Sequence, residues 1–186
     1  HTNRSSYARQ ACAEEIIMDE NGMFRQAEMT SCGLNGGPLR GVGTYPARIA
    51  CNLWSKDGTG RYDCKNPKKA FADHPYFTQD KKDGDENARQ YIANMRDGAV
   101  AGFKYFEMGE AKEISVELTG QARGEMLVSE ERDFSVINAE ISIENLNKGN
   151  TGFSSVINME KGEKALYFKY QGEGAVDFIS FTLKEK

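Results

Sequence analysis

Hydrophobic and polar residues alternate with a period of two through most of the second half of the chain. Across residues 113–118, Ile114, Val116 and Leu118 fall on one side, and Glu113, Ser115 and Glu117 on the other. Across 137–144, Ile137, Ala139, Ile141 and Ile143 alternate with Asn138, Glu140, Ser142 and Glu144. Across 165–170, Leu166, Phe168 and Tyr170 alternate with Tyr167 and Lys169. That period belongs to antiparallel strands with one face on a core and the other in water. Turn-forming residues punctuate the strands at Thr119-Gly120, Arg123-Gly124, residues 148–152, Lys161-Gly162 and Gly172-Glu173-Gly174. Short strands so spaced predict a β-sandwich or barrel, and no long segment carries a helical stripe. The expected class is all-β.

The first half reads differently. Residues 8–18 and a second run ending at Met29 predict a hairpin around the turn Asp19-Glu20-Asn21-Gly22, a hairpin with no sheet of its own. A glycine-rich connector (31–43) leads to a strand-like run at 47–54. Residues 56–87 are polar and predict long surface loops, which inside a compact domain are functional or lie against another surface. The opening His1–Gly22 has no initiator Met, no export leader and no helix cap, and reads as the end of something larger.

With 186 residues the chain is expected to hold one domain, or one domain and an appendage. A net charge of -4 with mixed signs argues against nucleic acid or an anionic membrane as partner. No apolar run approaches the roughly 18 residues of a membrane span. Cys12, Cys32, Cys51 and Cys64 are irregularly spaced without a CxxC pair, which argues against zinc. They are free thiols in a reducing compartment or, after export, disulfide partners. The sequence leaves both open, and with them a cytoplasmic or an exported location.

His1 and His74 are far apart, and no GxSxG, HExxH, P-loop or dinucleotide-binding pattern occurs. The chain by itself is expected to be inactive. Across 175–183, Ala175, Asp177, Ile179, Phe181 and Leu183 share a face by alternation, which puts a carboxylate on the apolar side. Such a group needs backbone N–H donors or a cation; calcium, which takes oxygen ligands, is the cation it would suit. Phe103, Tyr105, Phe106, Phe168 and Phe181 lie in core-like patterns. Tyr91, Phe153 and Trp54 lie beside turns or polar segments, where a ring pins a loop or stacks on a sugar.

Residues 1–39 resemble the end of the catalytic domain of family 43 glycoside hydrolases, in the xylosidase and arabinofuranosidase branch. The matching segments are His1 to Arg4, Ala8 to Gln10, Glu14, Asp19 to Gly22 and Glu28 to Ser31, in the family's order. Residues 45–53, 90–106, 162–174 and 175–183 resemble the β-sandwich that follows, itself similar to carbohydrate-binding module family 6. The resemblance implies residues 1–30 as a remnant of the last blade of a β-propeller, 31–44 as linker and 45–186 as a jelly-roll sandwich. It implies weak binding of xylan or arabinoxylan chains, with Tyr91 and Phe153 on either side of one sugar. Trp54 and Glu173 are further sugar-binding candidates, the latter in place of a cleft asparagine. A structural calcium ion is implied, with Asp177 as ligand, although Ile49-Ala50-Cys51 stands where the family has Glu-Ala-Glu. The catalytic carboxylates of such enzymes come from earlier blades, so no catalytic residue is assigned here. The alternative role is structural: a sandwich that packs on the propeller and shapes its active-site entrance.

Overall fold

The computed structural model describes residues 12–58, 72–82, 85, 87–147, 149 and 151–185. His1 to Arg4, Ala8 to Gln10 and Cys64 lie outside them. The strands are β1 (Leu39–Arg40), β2 (Gly43–Pro46), β3 (Asn52–Trp54), β4 (Tyr76–Gln79), β5 (Gln90–Met95), β6 (Val100–Met108), β7 (Glu113–Ser129), β8 (Ala139–Asn147), β9 (Thr151–Val156) and β10 (Gly162–Lys184). Among the described residues there is no α-helix, only a 3-10 turn at Ala47–Ile49. The all-β expectation holds.

Two long strands organise everything else. β7 and β10 pair antiparallel from Tyr167↔Ser129 to Lys184↔Glu113, forming one continuous ribbon. The first part of β10 pairs with β6 on its other edge, and the second part with β5 and then β2. Likewise β8 lines the C-terminal part of β7 and β9 its N-terminal part. One layer is therefore β3–β6–β10–β7–β8 and the other β4–β5–β10–β7–β9. The ribbon belongs to both and doubles over in the middle.

The doubling point is where the glycines stand. Gly124 and Gly172 face each other in the ladder with φ of 156° and 145°. A Cβ on Gly124 would strike the Gln171 carbonyl, and one on Gly172 the Arg123 carbonyl. The buried Tyr170 donates its hydroxyl to the Glu173 carbonyl at 2.5 Å and the Arg123 carbonyl at 3.1 Å, tying the two strands across the bend. Thr119-Gly120, Arg123-Gly124 and Gly172-Glu173-Gly174, expected to reverse the chain, instead bend strands that run on through them.

The folded ribbon buries Ile114, Val116 and Leu118 against Met126, Val128, Leu166 and Phe168. At the centre Phe103, Phe168, Phe178 and Phe181 pack mutually, with centroid separations of 4.9 to 6.3 Å. Four expectations need correction. Ile137 is exposed because β8 begins two residues later. The run 47–54 starts as a 3-10 turn behind Pro46 and becomes strand only at Asn52. The polar 56–87 stretch contains β4, which pairs Tyr76–Gln79 with Gln90–Ala93. Tyr105 is only part-buried, its hydroxyl donating to Glu28 at 2.9 Å.

The edge of β6 is covered in pieces. β3 pairs with Val100–Gly102, the Ser31 N–H reaches the Lys104 carbonyl at 2.5 Å, and β1 runs parallel beside Phe106–Glu107. Glu28 adds an ion pair to Lys104 at 2.7 Å. The expected hairpin is reduced to a bridge Met18↔Phe24, but its turn is as read, with Asp19 Oδ1 accepting the N–H groups of Asn21 and Met23. Residues read as remnant and linker thus supply cover for an otherwise open strand edge.

Candidate carbohydrate-binding surfaces

Asp177 does not share the face of Phe181 and Leu183. The buried residues there are Val176 and Phe178, then Phe181 and Leu183, because the pairing slips between Phe178 and Ser180. The bulge shifts the alternation by one residue and leaves Asp177 on the outer side, half-buried. Opposite it, β5 carries its own irregularity: Met95 pairs with Val176 and Ile92 with Phe178, so Ala93 and Asn94 share one place. Asn94 has φ 60°, and its N–H donates to Asp177 Oδ1 at 2.9 Å. Its amide holds the carbonyls of Ala72 and His74, at 3.0 and 3.2 Å. Asp177 therefore receives the N–H that the bulge removes from the ladder.

Calcium needs six to eight oxygens. Among the described residues no three or more His, Cys, Asp and Glu side chains gather into a metal-sized group. Cys51, in the place of a family carboxylate, points its thiol at the Gly102 carbonyl, 3.5 Å away. The side chains around Asp177 fit a hydrogen-bonded bulge better than a carboxylate cage.

Burial pushes the Asp177 carboxyl above the ordinary carboxylate range, with the Asn94 N–H pulling the other way. The folded chain then holds that proton more tightly than the unfolded chain. Its contribution to stability is greatest below the ordinary carboxylate range and falls as pH rises through the folded value. Asp177→Asn keeps an acceptor for Asn94 and is expected to remove this slope, read from thermal unfolding between acidic and neutral pH. Asp177→Ala orphans the N–H and is expected to cost about 1–3 kcal/mol.

The aromatic candidates occupy three separate places. Tyr91 is next to the core residue Ile92 on β5 and so faces outward from its layer. Phe153 pairs with Val116 and packs, half-buried, against the core. Between β5 and β9 lie β10 and β7, a separation of about 14 Å at the usual strand spacing. The structure does not bring these two rings to opposite sides of one sugar. Glu173 is exposed at the ribbon's bend.

Trp54 ends β3 on the outer face of the other layer. Its strand neighbour Leu53 packs on the core, and Trp54 pairs with Val100, which pairs in turn with Lys169. Tyr167 lies beside it, 6.1 Å between centroids with the two rings tilted by 57°, and over Gly102, where a Cβ would come within 2.7 Å of the Tyr167 ring. From the β7–β8 connection, Arg132 places its guanidinium carbon 4.9 Å from the Trp54 ring centroid. Lys169 Nζ lies 4.0 Å from the centroid of Phe134. Glu131 and Asp133 complete a shallow depression at Trp54. Sequence reasoning singled out Trp54 as a sugar-binding candidate and Tyr167 only as part of the strand resemblance at 162–174, and it passed over Arg132 and Asp133, since their meeting depends on the register of β3, β6 and β10.

The architecture is that of family 6 carbohydrate-binding modules. A module of that family from Clostridium stercorarium, solved with cellobiose, superposes with a TM-score of 0.59 over 81% of this chain and 99% of the module, at 12% identity. One from Clostridium cellulolyticum, solved with xylose, gives 0.59 over 79% of this chain and all of the module, at 8% identity. A family 43 arabinoxylan arabinofuranohydrolase from Bacillus subtilis matches 93% of this chain with 33% of its own length, TM-score 0.62 and 9% identity.

In sequence the chain is 43% identical over 185 residues to a xylosidase/arabinosidase of Thermoclostridium stercorarium. The match takes in 98% of this chain and 38% of that relative, so the chain spans well under half of the protein it resembles. No protein-family model matches it. The chain is thus similar over nearly its whole length to part of a xylosidase/arabinosidase, and its sandwich has the fold of family 6 modules.

Proposed function

We propose that this chain is a non-catalytic part of a hemicellulose-acting family 43 glycosidase and that its sandwich binds xylan-type sugars weakly. The observation that carries the reading is the near-complete overlap with whole sugar-binding modules, together with 43% identity to a xylosidase/arabinosidase. Calorimetric titration with xylohexaose and arabinoxylan oligosaccharides, with calcium and then with EDTA, tests it. Dissociation constants from micromolar to millimolar, roughly 4–8 kcal/mol, are expected. No heat with any of these sugars, in either condition, overturns the sugar-binding assignment.

A second reading, a scaffold packed on the catalytic domain, is favoured by a different observation. Of ten exposed large hydrophobic residues among those described, seven are Ile16, Ile17, Met18, Met23, Phe24, Met29 and Leu34. Apolar surface so concentrated marks a contact face. Hydrogen exchange at 16–29 is expected to be slower in the full-length parent than in this chain alone. Equal exchange rates count against the contact.

A further inference from the structure

We infer that Trp54 is the floor of a sugar subsite on the outer face of the β3–β6–β10 layer, with Arg132 standing as a displaceable cap on it. The inference rests on the sugar-binding reading above and adds to it a place, a ligand class and a device. One side of the indole is backed by the sheet, through Val100 and the buried Tyr167. The side left for a ligand is the one Arg132 overlies, so a pyranose that stacks there must take the guanidinium's place.

Arg132 is suited to leave. It forms no ion pair among the described residues, and its contact with the indole is a stacking one that costs little to give up at an exposed site. Its neighbours are suited to receive. Asp133 has one carboxylate oxygen accepting the Ser135 N–H at 3.0 Å, which fixes the group beside the ring and leaves further lone pairs for sugar hydroxyls. Glu131 lines the same depression, and its backbone is pinned through Ser129, whose hydroxyl accepts the Glu131 N–H and donates to its carbonyl, both at 2.9 Å. An aromatic floor with two carboxylate acceptors selects an uncharged pyranose with equatorial hydroxyls, as in a xylan backbone. A uronic acid would meet those carboxylates and be disfavoured.

Trp54 is the single tryptophan of the chain, so intrinsic fluorescence reports on this subsite alone. Titration with xylohexaose is expected to change the emission saturably, with the calorimetric midpoint. Trp54→Ala is expected to weaken binding at least tenfold. Arg132→Ala, which uncaps the ring, is expected to tighten it about threefold, the scale of an exposed cation–π contact. Calorimetric binding without a fluorescence change, or unweakened binding by a folded Trp54→Ala, overturns the subsite and leaves the sugar-binding reading standing. Weaker binding by Arg132→Ala overturns the cap. An absence of heat in the unsubstituted chain removes both readings together.

Discussion

Gly172→Ala is expected to destabilise the fold by about 3–5 kcal/mol, enough to unfold many domains of this size outright. The methyl would strike the Arg123 carbonyl, and the residue would keep a φ of 145°, where side chains are strained. Neither strand can give way, because β7 and β10 are paired on both sides of the bend and each has a further strand on its other edge. Gly124→Ala meets the Gln171 carbonyl in the same way and is expected to match it. The control is Gly152→Ala in β9, where an added Cβ has no atom within 4 Å. It is expected to be near neutral. Denaturant midpoints for the three variants decide the matter, and equal midpoints would mean that the ribbon is not closely crossed.

Phe103→Ala is expected to cost about 3–5 kcal/mol, the range for emptying an aromatic site in a packed core. Phe103 is fully buried and meets Phe168, Phe178 and Phe181 edge-on at 5.4, 6.1 and 4.9 Å. Those partners come from both halves of β10, so the ring touches both layers and no single strand can close the hole. Phe153→Ala, at a half-buried rim position, is expected to lose about half as much or less. A Phe103→Ala midpoint no lower than that of Phe153→Ala would show that the four-ring cluster is not the centre of stability.

Much of this architecture was legible from alternation alone. Ile114, Val116 and Leu118, and Leu166, Phe168 and Tyr170, were placed inward by their period and are buried. What alternation could not show was a change of phase. At Asp177 one extra residue between Phe178 and Ser180 reverses the sides, and no residue type in that run announces it. Glycine misled for a related reason. It serves a chain reversal and a close strand crossing equally well, and at Gly124 and Gly172 only the facing carbonyl tells the two apart. β4 was hidden because four residues between Pro75 and a charged run carry too short a pattern to stand out.

The candidate surfaces were less legible than the fold. Trp54, Tyr91 and Phe153 stand beside turns or polar segments in the sequence, but which rings meet is a matter of strand order. Phe153 and Tyr91 are kept apart by the two strands of the ribbon itself. Arg132 and Trp54 are 78 positions apart and meet only because β3 reaches the same layer as the β7–β8 connection.

The ribbon also sets a schedule. β10 pairs with β2, β5, β6 and β7, every one of which precedes it in the chain. During synthesis β2, β5 and β6 leave the ribosome with no β10 to pair with, and Phe103 has neither Phe168 nor Phe181 to pack on. The two layers cannot mature one after the other, since a single late strand completes both. A nascent chain paused before Gly162 would display its apolar strand faces to whatever chaperone stands at the exit.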